Sequence, residues 1–97
     1  MSKIEPYKYN EADGDRRVNN QWLYRFDNGY GASVIRGPYS YGGEDGLFEL
    51  GVIRFVGDDW KLCYDTPITE DVEGYLSENG VQMLLEQIRD LPARSEQ

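Results

Sequence analysis

From Gln21 to Tyr64 the side chains alternate in character with a period of two, and glycine-bearing turns interrupt the alternation. A chain with that pattern buries its apolar residues as strands joined by short antiparallel connections, not as helices. Trp22, Tyr24 and Phe26 share one face of the first strand, with Leu23 and Arg25 on the other. Asp27-Asn28-Gly29 follows at once, and Asn-Gly is the strongest short hairpin signal because a two-residue turn needs positive φ at both positions. Tyr30, Ala32 and Val34 then return as a second strand, with Ile35 opposite. Gly37 to Gly46 holds four glycines and Pro38, so no ladder runs through it and it reads as a loop. Leu47 to Val56 reads as a long strand that is apolar on both faces, hence central or covered on each side. Gly57-Asp58-Asp59 makes a second tight turn, and Trp60, Leu62 and Tyr64 alternate as a fourth strand.

The period then changes. Pro67 donates no ladder hydrogen bond and holds Thr66 extended, so the sheet stops there. Thr69 is read as capping a short turn through Glu70, Asp71 and Val72. Ser77 is the helix start: its hydroxyl is an N-cap, Glu78 lies in the first turn, and Val81, Leu84, Leu85, Ile88 and Leu91 make one apolar stripe ended by Pro92. The expected fold is therefore α+β, a small antiparallel meander of about four strands with the helix Ser77 to Leu91 packed on one face. At 97 residues there is room for one domain, read here as residues 20–92. Residues 1–19 mix charges with few apolar positions and read as a flexible arm, with docking of Tyr7 and Tyr9 as an edge segment the alternative. Residues 93–97 read as a frayed tail.

What is missing narrows the chemistry. The chain has no histidine, which removes Ser-His, Cys-His and His-zinc centres. Cys63, the single cysteine, sits in an apolar and aromatic run and reads as a buried structural thiol. Without a disulfide framework, a signal-peptide run or an apolar stretch of membrane-spanning length, the expected location is the cytoplasm.

Several motifs begin and fail. Gly29-Tyr30-Gly31 opens like a dinucleotide fingerprint, but Val34 takes the third glycine position and no helix follows to receive a phosphate. Gly37 and Gly42 have P-loop spacing, yet Gly43-Glu44 stands where Lys-Ser/Thr is required. Asp13-Gly14-Asp15 starts like a calcium loop, but its oxygen ligands stop there. Asp58 with Asp59, or Asp65 with Glu70, offers paired carboxylates without the deep cleft a glycosidase needs. The expectation is a protein that is not an enzyme and takes no cofactor or metal.

Charge carries the first functional signal. The net charge is -8, which argues against a direct grip on nucleic acid or an anionic membrane. Residues 1–36 hold six basic and five acidic side chains, whereas 37–97 hold four basic and thirteen acidic ones. No basic residue falls between Lys61 and Arg89, a stretch that carries Asp65, Glu70, Asp71, Glu73, Glu78 and Glu86, with Asp58 and Asp59 just before it. Such a face steers a basic partner, or simply keeps a small protein in solution; both accounts stand. The second signal is the loop, where Tyr39 and Tyr41 flank Ser40 ahead of two glycines. Tyrosines on an adaptable loop anchor partners, or fold back as a lid on an undersized core.

Phe26-Asp27-Asn28-Gly29-Tyr30-Gly31-Ala32-Ser33-Val34, Ser40-Tyr41-Gly42-Gly43, Leu47-Phe48-Glu49-Leu50 and Cys63-Tyr64-Asp65-Thr66-Pro67-Ile68-Thr69 together resemble small uncharacterised proteins encoded by bacteriophages and prophages. The resemblance covers about residues 22–92 and implies a shared fold and a bacterial host cytoplasm, with no established activity to transfer. It implies an accessory factor acting on host or phage machinery.

The expected function is a non-enzymatic protein-binding module whose partner presents a basic surface, such as a nucleic-acid-binding protein. Asp58, Asp59, Asp65, Glu70, Asp71, Glu73 and Glu78 form the electrostatic contact, and Tyr39 and Tyr41 are the aromatic anchors. Two alternatives are a DNA mimic that blocks a nucleic-acid-binding defence protein of the host, and a structural protein that self-associates through an exposed strand edge.

Overall fold

The computed structural model describes residues 3–11, 19–37, 42–63, 66, 68 and 72–93. Over these residues the chain is α+β: a six-stranded antiparallel sheet and one C-terminal helix. The strands are β1 (Lys8–Asn10), β2 (Asn20–Arg25), β3 (Tyr30–Arg36), β4 (Phe48–Val56), β5 (Asp59–Leu62) and β6 (Val72–Leu76), and the helix is α1 (Glu78–Arg89). The expected count of about four strands is thus too low by two. β1 is three residues long, too short to show a period. β6 escapes because its alternation is broken by a register shift against β4 and by Tyr75, whose φ is +56°.

Sheet order is β1-β2-β3-β4-β5, and β6 also pairs with β4. β5 and β6 share one edge of β4: Asp59–Leu62 lies against Ile53–Val56, and Val72–Leu76 against Phe48–Gly51. Between them the Cys63 N–H donates to the Val52 carbonyl at 2.8 Å. β4 is therefore central, as a strand apolar on both faces requires. Lys8–Asn10, within the stretch read as an arm, pairs with Gln21–Leu23. Residues 12–18, Tyr39, Tyr41, Asp65, Glu70, Asp71 and the tail 94–97 lie outside the described residues.

The helix begins where its cap lies: Ser77 Oγ accepts from the Gly80 N–H at 3.1 Å. Val81, Leu85 and Ile88 of α1 pack on Tyr24, Ala32, Val34, Leu50, Val52 and Cys63 to make the main core. Each fully buried Leu or Ile there contributes about 1.5–3 kcal/mol. The opposite face of the sheet has its own small cluster of Leu23, Ile53 and Phe55 under Trp60. Tyr7 meets Phe55 edge-on at 5.8 Å, and the Arg25 guanidinium lies 4.4 Å from the same ring. One helix covers one face, and aromatic and guanidinium groups shield the other.

The β2–β3 turn differs from the two-residue form expected of Asn-Gly. Phe26 N–H donates to the Tyr30 carbonyl and Gly29 N–H to the Phe26 carbonyl, so the loop has three residues, and of Asn28 and Gly29 only Gly29 has positive φ. Asn28 is held by its side chain instead. Its amide Nδ2 donates to the carbonyls of Ile88, Arg89 and Leu91 at 2.8–3.1 Å, while its Oδ1 accepts from the Tyr30 N–H. The hairpin thereby caps the C-terminus of α1. Among the described residues no helix is long and apolar enough to cross a membrane.

Candidate functional site

Two regions combine chemistry with exposure. The first is the outer margin of the sheet formed by β5 and β6. Asp58 sits in the Gly57-Asp58 turn, where Gly57 supplies a φ of +63°, and its carboxylate lies 3.7 Å from Arg25 Nη1. Asp59 opens β5 opposite Val56, and Glu73 lies on β6 opposite Leu50. Both are exposed, and neither pairs with a cation among the described residues. Lys61 is the basic residue of this margin. Because β5 and β6 follow one another along β4, Asp59 and Leu76 are separated by roughly 26 Å, the length of that strand. The carboxylates Asp58, Asp59 and Glu73 are strung along an edge.

Tyr75 lies on the same margin with 64% of its surface exposed. A non-glycine residue at φ +56° carries a backbone cost of about 1–2 kcal/mol. Gly42 lies close against this residue: a Cβ built on Gly42 would lie 2.9 Å from Tyr75 Cα. Tyrosine anchors were expected at Tyr39 and Tyr41; Tyr75 had no signal in the sequence, since a bulge is not written in a two-residue period.

The second region is a cleft of about 270 Å³ between the sheet and the first turns of α1, lined by Trp22, Tyr24, Arg36, Phe48, Glu78 and Gln82 among others. Trp22 and Phe48 meet edge-to-face at 5.6 Å, and Tyr9 lies against Trp22 at 5.1 Å. The Arg36 guanidinium is 4.8 Å from the Phe48 ring and 5.9 Å from that of Trp22, and no described carboxylate pairs with it. Tyr24 is only 7% exposed, and its hydroxyl makes no hydrogen bond with a described residue. Burial pushes the Tyr24 phenol up from its ordinary value, and the nearby carboxylates of Glu5 and Glu78 push in the same direction.

Two of the lining residues, Glu78 and Gln82, also hold the chain's own N-terminal segment. The Ile4 N–H donates to Gln82 Oε1 at 2.9 Å, Gln82 Nε2 donates to the Ile4 carbonyl at 3.2 Å, and Lys3 Nζ pairs with Glu78 Oε1 at 3.0 Å. Ile4 packs against the main core. Glu78, expected on the acidic face, is thus drawn to the cleft, apart from Asp58 and Asp59. The alternation of Trp22 and Tyr24 marks them as inward residues; nothing in the sequence marks Gln82 or Ile4. Among the described residues no three His, Cys, Asp or Glu side chains are grouped to hold a metal. Comparison of the chain with protein-family models, with curated proteins and with solved structures finds no match.

Proposed function

We propose that this chain is a non-catalytic protein-binding module that engages a basic surface through the β5–β6 margin. The observation that carries the reading is the coincidence on one margin of carboxylates that pair with no cation among the described residues, Asp59 and Glu73, with an exposed aromatic ring, Tyr75. Carboxylates steer a basic partner and speed encounter, while a large ring with two rotatable bonds supplies contact area at small entropic cost. A tyrosine kept in a strained backbone conformation at the surface fits a binding role better than a packing role. The resemblance to bacteriophage proteins makes the partner a host or phage protein in a bacterial cytoplasm.

The test is affinity capture from nuclease-treated bacterial lysate at two salt concentrations, run with the native chain, with Asp59→Lys/Glu73→Lys, and with Tyr75→Ala. A protein retained by the native chain, released by salt and lost from both variants supports the reading. Equal retention by all three overturns it. Competition of the captured protein by duplex DNA would identify the stricter case, a DNA mimic.

A further inference from the structure

Gln82 does to Ile4 what a neighbouring strand does to an extended residue: it takes both the N–H and the C=O of the one residue, at 2.9 and 3.2 Å. That contact reads backbone and ignores side-chain identity. Selectivity comes from its neighbours, since Glu78 takes the ammonium of the preceding Lys3 and the main core receives the Ile4 side chain. These are the parts of a peptide-recognition groove: a backbone clamp, a carboxylate for a basic residue and an apolar socket for the next.

The resident segment leaves much of this groove unused. Beside it remains the cleft of about 270 Å³, with Tyr24 in its lining. Arg36, laid on Phe48, stands at the cleft with no described carboxylate to answer it. The hold on the segment is also light. Its ion pair joins side chains 61% and 69% exposed, and the strand that follows pairs over three residues. An ion pair that exposed adds little.

We propose that the groove between β2 and the first turns of α1 is a docking site for an extended segment of a partner protein carrying Lys or Arg followed by an aliphatic residue, and that Lys3-Ile4 is its tethered stand-in. A partner segment that also enters the cleft meets Tyr24 and Arg36, which the stand-in leaves unanswered. The basic residue it presents agrees with the proposed acidic binder, and the inference rests on that reading for the partner's charge alone.

The probe is a capped synthetic peptide with the sequence of residues 3–9, titrated onto the full chain while the Gln82 carboxamide and Trp22 indole resonances are followed by NMR. The titration is run on the native chain, on Lys3→Ser/Ile4→Ser, which loosens the stand-in, and on Gln82→Ala. A tether supplies a high local concentration, so binding should be saturable on the loosened chain and about tenfold or more weaker on the native one. It should be lost on Gln82→Ala, and a peptide with glutamate in place of Lys3 should bind at least about threefold more weakly than the parent. Absence of saturable shifts on the loosened chain, with its circular dichroism unchanged, overturns the proposal. Should the loosened chain unfold, the milder Lys3→Glu takes its place under the same two outcomes. Full-chain dimers in which each copy's segment fills the other's groove overturn the assignment to a partner. Peptide binding that persists when Asp59→Lys/Glu73→Lys abolishes capture separates this site from the β5–β6 margin; intact capture without peptide binding removes the groove alone.

Discussion

Asn28 donates its side-chain amide to the carbonyl of Ile88, 60 residues further along the chain, at 2.8 Å. The last carbonyls of a helix lack partners within the helix, and here the same amide also reaches those of Arg89 and Leu91. A hairpin turn formed by local sequence is thereby fastened to the end of the only α-helix among the described residues.

Replacing Asn28 separates that role from turn propensity. Asn28→Ala should lower stability by about 1 kcal/mol in urea denaturation, since it removes the side-chain donor from three carbonyls at the helix end, two of them partly buried. Asn28→Asp keeps the acceptor for Tyr30 N–H but turns a carboxylate toward carbonyls at the negative end of the helix dipole. It should cost at least as much as alanine, although aspartate is an equally good turn residue. A neutral Asn28→Asp would contradict the capping role.

Gly31 tolerates no side chain. A Cβ there would collide with the Tyr24 backbone carbonyl and come within 2.7 Å of the Phe55 ring. Backbone cannot yield as a flexible side chain can, so Gly31→Ala should cost about 2 kcal/mol or more. The midpoint of urea unfolding measures it, with Gly29→Ala as a second variant: that position has open space but a φ of +88°, so its cost is conformational alone.

Tyr75 offers the opposite sign. Tyr75→Gly removes the left-handed penalty at an exposed position and should raise stability by up to about 1 kcal/mol. On the proposed function the same variant should lose partner retention. A destabilised Tyr75→Gly would mean that the ring packs more than its exposure shows.

Alkaline titration reads Tyr24. Its folded pKa is raised by burial, then by Glu5 and Glu78. Above the ordinary tyrosine value of about 10, the unfolded chain gives up this proton while the folded chain keeps it. The folded state then binds more protons, so stability falls as pH rises past that value and this contribution is flat below it. Tyr24→Phe should remove that part of the alkaline slope, measured as denaturation midpoints across the alkaline range. An identical slope in the variant would sink the assignment.

Two adjacent residues at the start of α1 should behave unequally. Ser77→Ala removes the cap on Gly80 N–H and should cost about 1 kcal/mol. Glu78→Gln removes an exposed ion pair with Lys3 and should change stability by less than about 0.5 kcal/mol. The thermal midpoints of the two variants provide the comparison.

The sequence by itself determined what is local. Period-two alternation set β2 to β5 and the faces of β4; glycine and asparagine marked the turns; Ser77 and the stripe Val81, Leu85, Ile88 placed the helix and its buried side. These features follow from sterics and hydrogen bonds within a few residues, so a linear reading recovers them. Tertiary structure alone decided the rest. β1 exists because β2 offers it an edge, and β6 because β4 is long enough to pair with two strands in turn. Asn28 reads as a turn former until α1 ends above it. Gln82 and Ile4 meet across 78 residues, and of the acidic run expected to be one face Asp58, Asp59 and Glu73 lie spread along β4 while Glu78 is taken to the cleft. Each of these depends on which distant backbone groups come within hydrogen-bond reach, a quantity set by how the sheet and helix pack and not by any spacing along the chain.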